Sequence, residues 1–126
     1  MTAVDRWSIV IVDFDPSIGH EQAARRRALV VSCPPFHRSG MATVCPIATR
    51  ARGYPGEVAI PAGHAGQTLG AQILVHQVRT IDLRRVTAQL VTDLANRGAV
   101  RQALAHHLGL DIPAAEDGAA SANASG

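Results

Sequence analysis

Residues 9–32 read IVIVDFDPSIGHEQAARRRALVVS, two β-branched apolar runs separated by a polar stretch that ends in three consecutive arginines. The runs at 9–14 and 28–32 are bounded by Asp, Pro, Gly and Ser, the pattern of short strands. Residues 15–27 are too many and too charged for a hairpin turn. Loops of about a dozen residues inside a compact domain are more often functional than shorter ones. The stretch therefore predicts a functional loop held between two barrel strands, with arginines that need solvent or an anionic partner.

Working outward, residues 42–48, 57–60, 71–75 and 86–90 each form a short strand-like run bounded by Gly, Pro or Arg. Turn signals at such regular spacing point to a small sandwich or barrel. The period changes near Thr92. Leu94, Val100, Leu104 and Leu108, with Ala103 beside them, include the i, i+4, i+8 spacing of an amphipathic helix. Gly98 costs about 1 kcal/mol relative to Ala inside a helix, so the helix is expected to begin effectively after it. Residues 111–126, DIPAAEDGAASANASG, retain one large apolar residue, Ile112, and are expected to be a disordered tail. Residues 1–110 then form a single domain.

Charge and cysteine usage narrow the class. All 12 basic side chains are arginines, and residues 1–110 set them against 7 carboxylates, a net +5. An excess of that size suits nucleic acid or an acidic protein partner. Arginine presents a planar fork of donors that fits phosphate and stays charged at any accessible pH. Cys33 and Cys45 lack metal-ligand spacing and are expected to be reduced, partly buried thiols. No run approaches the roughly 18 apolar residues of a membrane span, and the start is too short in apolar residues for a signal peptide. A cytoplasmic protein with no membrane association is the expectation.

Four stretches, VDFDPSIGHEQAARRRALVVS, TVCPIATR, GYPGEVAIP and HQVRTIDLRR, occur in an order and spacing that resemble the MazF/PemK family of toxins from bacterial toxin–antitoxin pairs. The likeness covers about residues 6–110. It implies a mainly β, small SH3-like (PemK/CcdB-like) barrel with a C-terminal helix, acting as a homodimer. It also implies a metal-independent, cofactor-free endoribonuclease that cuts single-stranded RNA, usually mRNA, to 2′,3′-cyclic phosphate and 5′-hydroxyl ends. The expected partners are that RNA and a cognate MazE/PemI-like antitoxin.

By that resemblance the catalytic arginine follows the loop bearing Glu21 and Gln22 and falls on Arg26, with Arg25 and Arg27 as alternatives. The catalytic threonine falls on Thr49. Attack of a ribose 2′-OH on phosphorus needs proton removal, stabilisation of a crowded phosphorane and protonation of the leaving oxygen. A guanidinium and a hydroxyl supply the donors for the middle step. Glu21 and Gln22 are expected to organise the loop. Glu21, Gln22, Arg25, Arg27, Arg50, Tyr54, Gln77 and Arg79 are candidate RNA-binding residues, Tyr54 by stacking on a base. Arg79 has a second reading as the ion-pair partner of Asp82. Of the four large aromatics, Trp7, Phe14, Phe36 and Tyr54, most are expected in the core or an interface. Two other function classes remain open on sequence: a non-catalytic growth inhibitor of the same fold that acts on DNA gyrase through its dimer surface, and a basic RNA-binding barrel without activity.

Overall fold

A computed structural model describes residues 3–14, 25–64, 70–91 and 94–112. The strands are β1 (Ile9–Asp13), β2 (Arg25–Val30), β3 (Met41–Ala48), β4 (Glu57–Ile60), β5 (Ala71–Leu74), β6 (Arg79–Asp82) and β7 (Val86–Val91). Two helices accompany them, the one-turn α1 (Pro34–His37) and the C-terminal α2 (Arg97–His107). All strand pairs are antiparallel, in the order β4-β5-β3-β2-β1-β7, with β6 joined to β3 off that path. The fold is mainly β with a C-terminal helix, as the sequence suggests. The sheet is not a closed barrel, since the path runs out at β4 and β7 among the described residues.

The β-branched runs are continuous rather than alternating because the central strands are covered on both sides. Ile9, Leu29, Cys45 and Ile47 enter one buried cluster with Trp7, Ile73 and Val75. Val10, Val12, Ala28, Val30 and Val44 enter a second with Phe14, Ala42 and Ile81. Successive side chains on a strand point to opposite faces, so β1, β2 and β3 divide their apolar residues between two cores. The helix α2 covers the first by seating Val100, Ala103 and Leu104 on it. Leu108, expected on the same stripe, is 59% exposed.

Three local expectations change. The arginines 25–27 are not in a loop: they open β2, paired with Asp13, Val12 and Ile11 of β1. A seventh strand, β6, arises from RTID, which carries only one large apolar residue. The helix α2 begins at Arg97 and includes Gly98 in its first turn. It ends where Gly109, at φ +72°, donates its N–H to the His106 carbonyl at 3.1 Å while Leu110 donates to the Ala105 carbonyl at 2.7 Å. That pair of bonds is a Schellman cap. Asp111, placed in the tail on sequence, accepts a hydrogen bond from His106 Nδ1 at 2.9 Å. Residues 113–126 lie outside the described residues. None of the helices is long and apolar enough to cross a membrane, among the described residues.

Both thiols are free, but only Cys45 is buried; Cys33 is exposed, where partial burial was expected for both. Burial raises the Cys45 thiol to about 12. An acid whose folded pKa is raised loses stability as pH climbs, because the unfolded thiol ionises first. Cys45 therefore weakens the fold progressively above about pH 9. In native protein at about pH 8 a water-soluble disulfide reagent should modify Cys33 alone, and in denaturant both thiols should react. Fast native modification of Cys45 would contradict the packing. Phe14 is fully buried in the second core. Phe14→Ala should cost about 3–5 kcal/mol, read from the shift of a urea unfolding midpoint.

Candidate active site

The arginine cluster owes its position to strand register. Ala28, Leu29 and Val30 of β2 pair with Pro46, Cys45 and Val44 of β3. Continued toward the start of β2, that register brings the exposed Arg25, Arg26 and Arg27 alongside the end of β3, where Thr49 follows Ala48 in a bend. The structure brings these residues together: Arg25, Arg26, Arg27, Ile47 and Thr49 line one cleft of about 220 Å³. Arg50, the next residue, is exposed and is not among the residues that line the cleft.

The three arginines are not equivalent. Alternation along β2 puts Arg26 on the face of Ala28 and Val30, and Arg25 and Arg27 on the face of Leu29. Val44 pairs with Val30 on one side and Arg79 on the other, so Arg79 shares the face of Arg26. The Arg79 guanidinium lies 5.4 Å from the centroid of the Phe14 ring, a cation–π contact within the usual range. The second reading of Arg79, an ion pair with Asp82, is not what forms. Asp82 instead binds Arg84, with Nη2 to Oδ2 at 2.8 Å and Nε to Oδ1 at 3.0 Å. The Arg84 backbone N–H adds a third bond at 2.8 Å, and together these hold the Asp82 carboxyl at about 2. Two residues of separation and the turn after β6 favour this local fork over a contact with Arg79.

Gln77 is half-buried in a 3-10 turn, Val75–Gln77, between β5 and β6. Tyr54 is not in the core, being 43% exposed in the segment between β3 and β4. Its ring centroid is 4.6 Å from that of His76, with a 37° angle between the planes. Burial lowers the His76 pKa, an effect opposed by Glu57 and reinforced by His107 and Arg52. The ring next to Tyr54 is therefore largely neutral at neutral pH. Sequence reading missed His76 as a partner of Tyr54, and no spacing signal connects them. Phe36 is also exposed, while Trp7 and Phe14 are core residues. Glu21 and Gln22 lie outside the described residues.

A second, more open cleft of about 490 Å³ is lined by Asp13, Asp82, Arg84, Arg85 and Thr87. Arg85 Nη1 donates to the Asp13 carbonyl at 3.0 Å, and Asp13 pairs with Arg25 across β1 and β2. Arginines thus appear on both sides of the end of β1. Among the described residues, no group of three or more His, Cys, Asp and Glu is placed to hold a metal ion.

Residues 5–108 match the family model for the PemK-like, MazF-like toxin of type II toxin–antitoxin systems. The endoribonuclease toxin MazF of Escherichia coli K12 is 39% identical over 83 residues, 64% of this chain and 69% of that protein. The endoribonuclease toxin ChpB of the same organism is 38% identical over 106 residues, 79% of this chain and 87% of that one. Among solved structures, MazF from Deinococcus radiodurans superposes with a TM-score of 0.75 at 37% identity, covering 86% of this chain and 99% of its own. A MazE–MazF structure from that organism gives 0.71 at 34% identity, covering 88% and 100%. The open antiparallel sheet, its C-terminal helix and the sequence itself agree: this chain belongs to the PemK-like, MazF-like family of type II toxin–antitoxin toxins.

Proposed function

We propose that this toxin is a sequence-selective endoribonuclease that cuts single-stranded RNA in the cytoplasm by metal-independent transesterification. The observation that carries the reading is the shared cleft of Arg25, Arg26, Arg27 and Thr49. Relatives at 38–39% identity are named endoribonuclease toxins. In the proposed reaction the ribose 2′-oxygen loses its proton and bonds to phosphorus, the P–O5′ bond breaks, and the 5′-oxygen takes a proton. The products are a 2′,3′-cyclic phosphate and a 5′-hydroxyl.

Arg26 is assigned to the non-bridging phosphate oxygens and Thr49 donates a further hydrogen bond from its hydroxyl. A donor aimed at charge that develops in the transition state contributes about 10² to 10³ in rate. Arginine, with a pKa above about 12, is a poor base at neutral pH, so Arg26 stabilises the phosphorane rather than removing the proton. Arg79, on the same sheet face, supports the phosphate side. Arg25, Arg27 and Arg50 contact flanking phosphates, which position the RNA without reading its bases. Tyr54 stacks on a base and Gln77 lies near the bound strand, while Glu21 and Gln22 shape the preceding loop. The functional unit is a homodimer, inhibited by a cognate antitoxin that lays an acidic segment across the arginines.

Incubated with single-stranded RNA in EDTA, the protein should give discrete fragments with cyclic phosphate ends. Uncut RNA from folded, antitoxin-free protein would refute the proposal. Arg26→Ala and Thr49→Ala should each slow cleavage by about 10² or more with the oligomeric state unchanged. If Arg26→Ala cuts normally while Arg25→Ala or Arg27→Ala does not, the catalytic guanidinium lies on the opposite face of β2. Arg25→Ala and Arg27→Ala should instead weaken binding, each lowering the slope of log affinity against log salt by about 0.7.

A further inference from the structure

Between β3 and β4 the chain runs from Thr49 to Gly56, outside any strand. Its fixed point is Glu57, the first residue of β4. The Arg52 backbone N–H donates to both carboxylate oxygens, at 3.1 and 3.2 Å. The Gly53 N–H donates to Oε1 at 3.3 Å and the Tyr54 N–H to Oε2 at 3.3 Å. Three consecutive amides converging on one anion form a nest. Gly53, at φ +76°, supplies the backbone turn that a side chain would oppose. The Glu57 N–H also donates to the Tyr54 carbonyl at 3.3 Å.

Tyr54 is thus constrained twice. Glu57 fixes its backbone, and His76 flanks its ring at 4.6 Å while the ring stays partly open to solvent. His76 follows Val75, which is fully buried in the first core, so the support behind the ring is itself anchored. An aromatic held this way meets a base with little ordering left to lose.

We propose that Glu57 is a positioning residue for RNA recognition: its carboxylate presets Tyr54 as a stacking platform for one nucleobase, along the segment that starts at Thr49. The inference rests on the endoribonuclease reading. Glu57 then governs KM and base preference, and leaves the chemical step to the cleft. Thr49 keeps its place without the clamp, because Ala48 is paired to Gln72 of β5.

The chemistry of the nest makes Glu57→Gln informative. Glutamine keeps one acceptor but replaces the other with an NH₂ donor, which would face amide donors. On randomised single-stranded RNA with the cut ends sequenced, Glu57→Gln should flatten the preference at one position near the cut. On a single well-cut oligonucleotide it should raise KM about tenfold, with kcat within about threefold of the unsubstituted protein. Tyr54→Ala should do the same, and the double variant should be no worse than Tyr54→Ala alone. Glu57→Asp, which keeps both oxygens on a shorter arm, should restore part of the loss, and it carries the same cycle if Glu57→Gln does not fold. Unchanged KM and preference in Glu57→Gln, or effects that add to those of Tyr54→Ala, would overturn the inference while normal cutting by the unsubstituted protein upholds the parent reading. Failure of the unsubstituted protein to cut RNA at all removes both.

Discussion

One strand edge serves two partners, and the rest of the structure depends on that division. Along a single edge of β3, residues 41–44 pair with β6 and residues 47–48 pair with β5. The handover falls at Cys45 and Pro46, and proline has no N–H to give to a ladder. The opposite edge of β3 is occupied by β2. With three neighbours, β3 is the strand about which the sheet folds over two cores, and its end at Ala48 is placed beside the start of β2. The cleft is a consequence of that meeting of strand ends.

The same register explains why three adjacent arginines need not compete for one role. A strand turns alternate side chains to opposite faces, so Arg26 joins Arg79 on one side, while Arg25 and Arg27 join the face of Leu29 and Ile47. All three are exposed, so none has lost its hydration to the core. Together they make this strand end a locally cationic surface.

Much of this was legible in the sequence, and what was not has identifiable causes. The six expected strands all formed, because β-branched runs between Gly, Pro and Asp are a strong local signal. β6 escaped notice because Arg79, Thr80 and Asp82 surround a single buried Ile81; pairing to β3 makes it a strand, not composition. Arg25–Arg27 read as loop for the same reason: charge argues against a strand unless the strand's end is solvated. Gly98 is tolerated because it falls in the first turn of α2, where the amides have no intrahelical acceptor in any case. The family resemblance singled out Arg26 and Thr49, and the structure gathers both around one cleft. A contact between distant segments, such as Tyr54 with His76, has no local signature, and the choice of Arg84 over Arg79 by Asp82 turns on the 3-10 turn after β6, which composition does not announce.

The helix α2 packs on the core that holds both Ile47 of the cleft and the residue before His76. Val100 and Leu104 pack in the core that holds Val75, and Val75 immediately precedes His76. The other end of that core is set by Trp7, a buried residue at φ +68° whose N–H is bonded to the Val30 carbonyl at 2.8 Å. So bulky a side chain is rarely found in the left-handed region. Its ring meets the guanidinium of Arg6, at 4.5 Å, and that of Arg101 in α2, at 5.6 Å. Burial of the indole and two cation–π contacts offset the backbone cost. The N-terminal segment, α2 and the 3-10 turn therefore share one core, which makes the support behind Tyr54 as firm as that core's packing. Thr49 and the arginines owe their placement to strand register, whereas Tyr54 owes its own to the Glu57 nest and to the core behind His76.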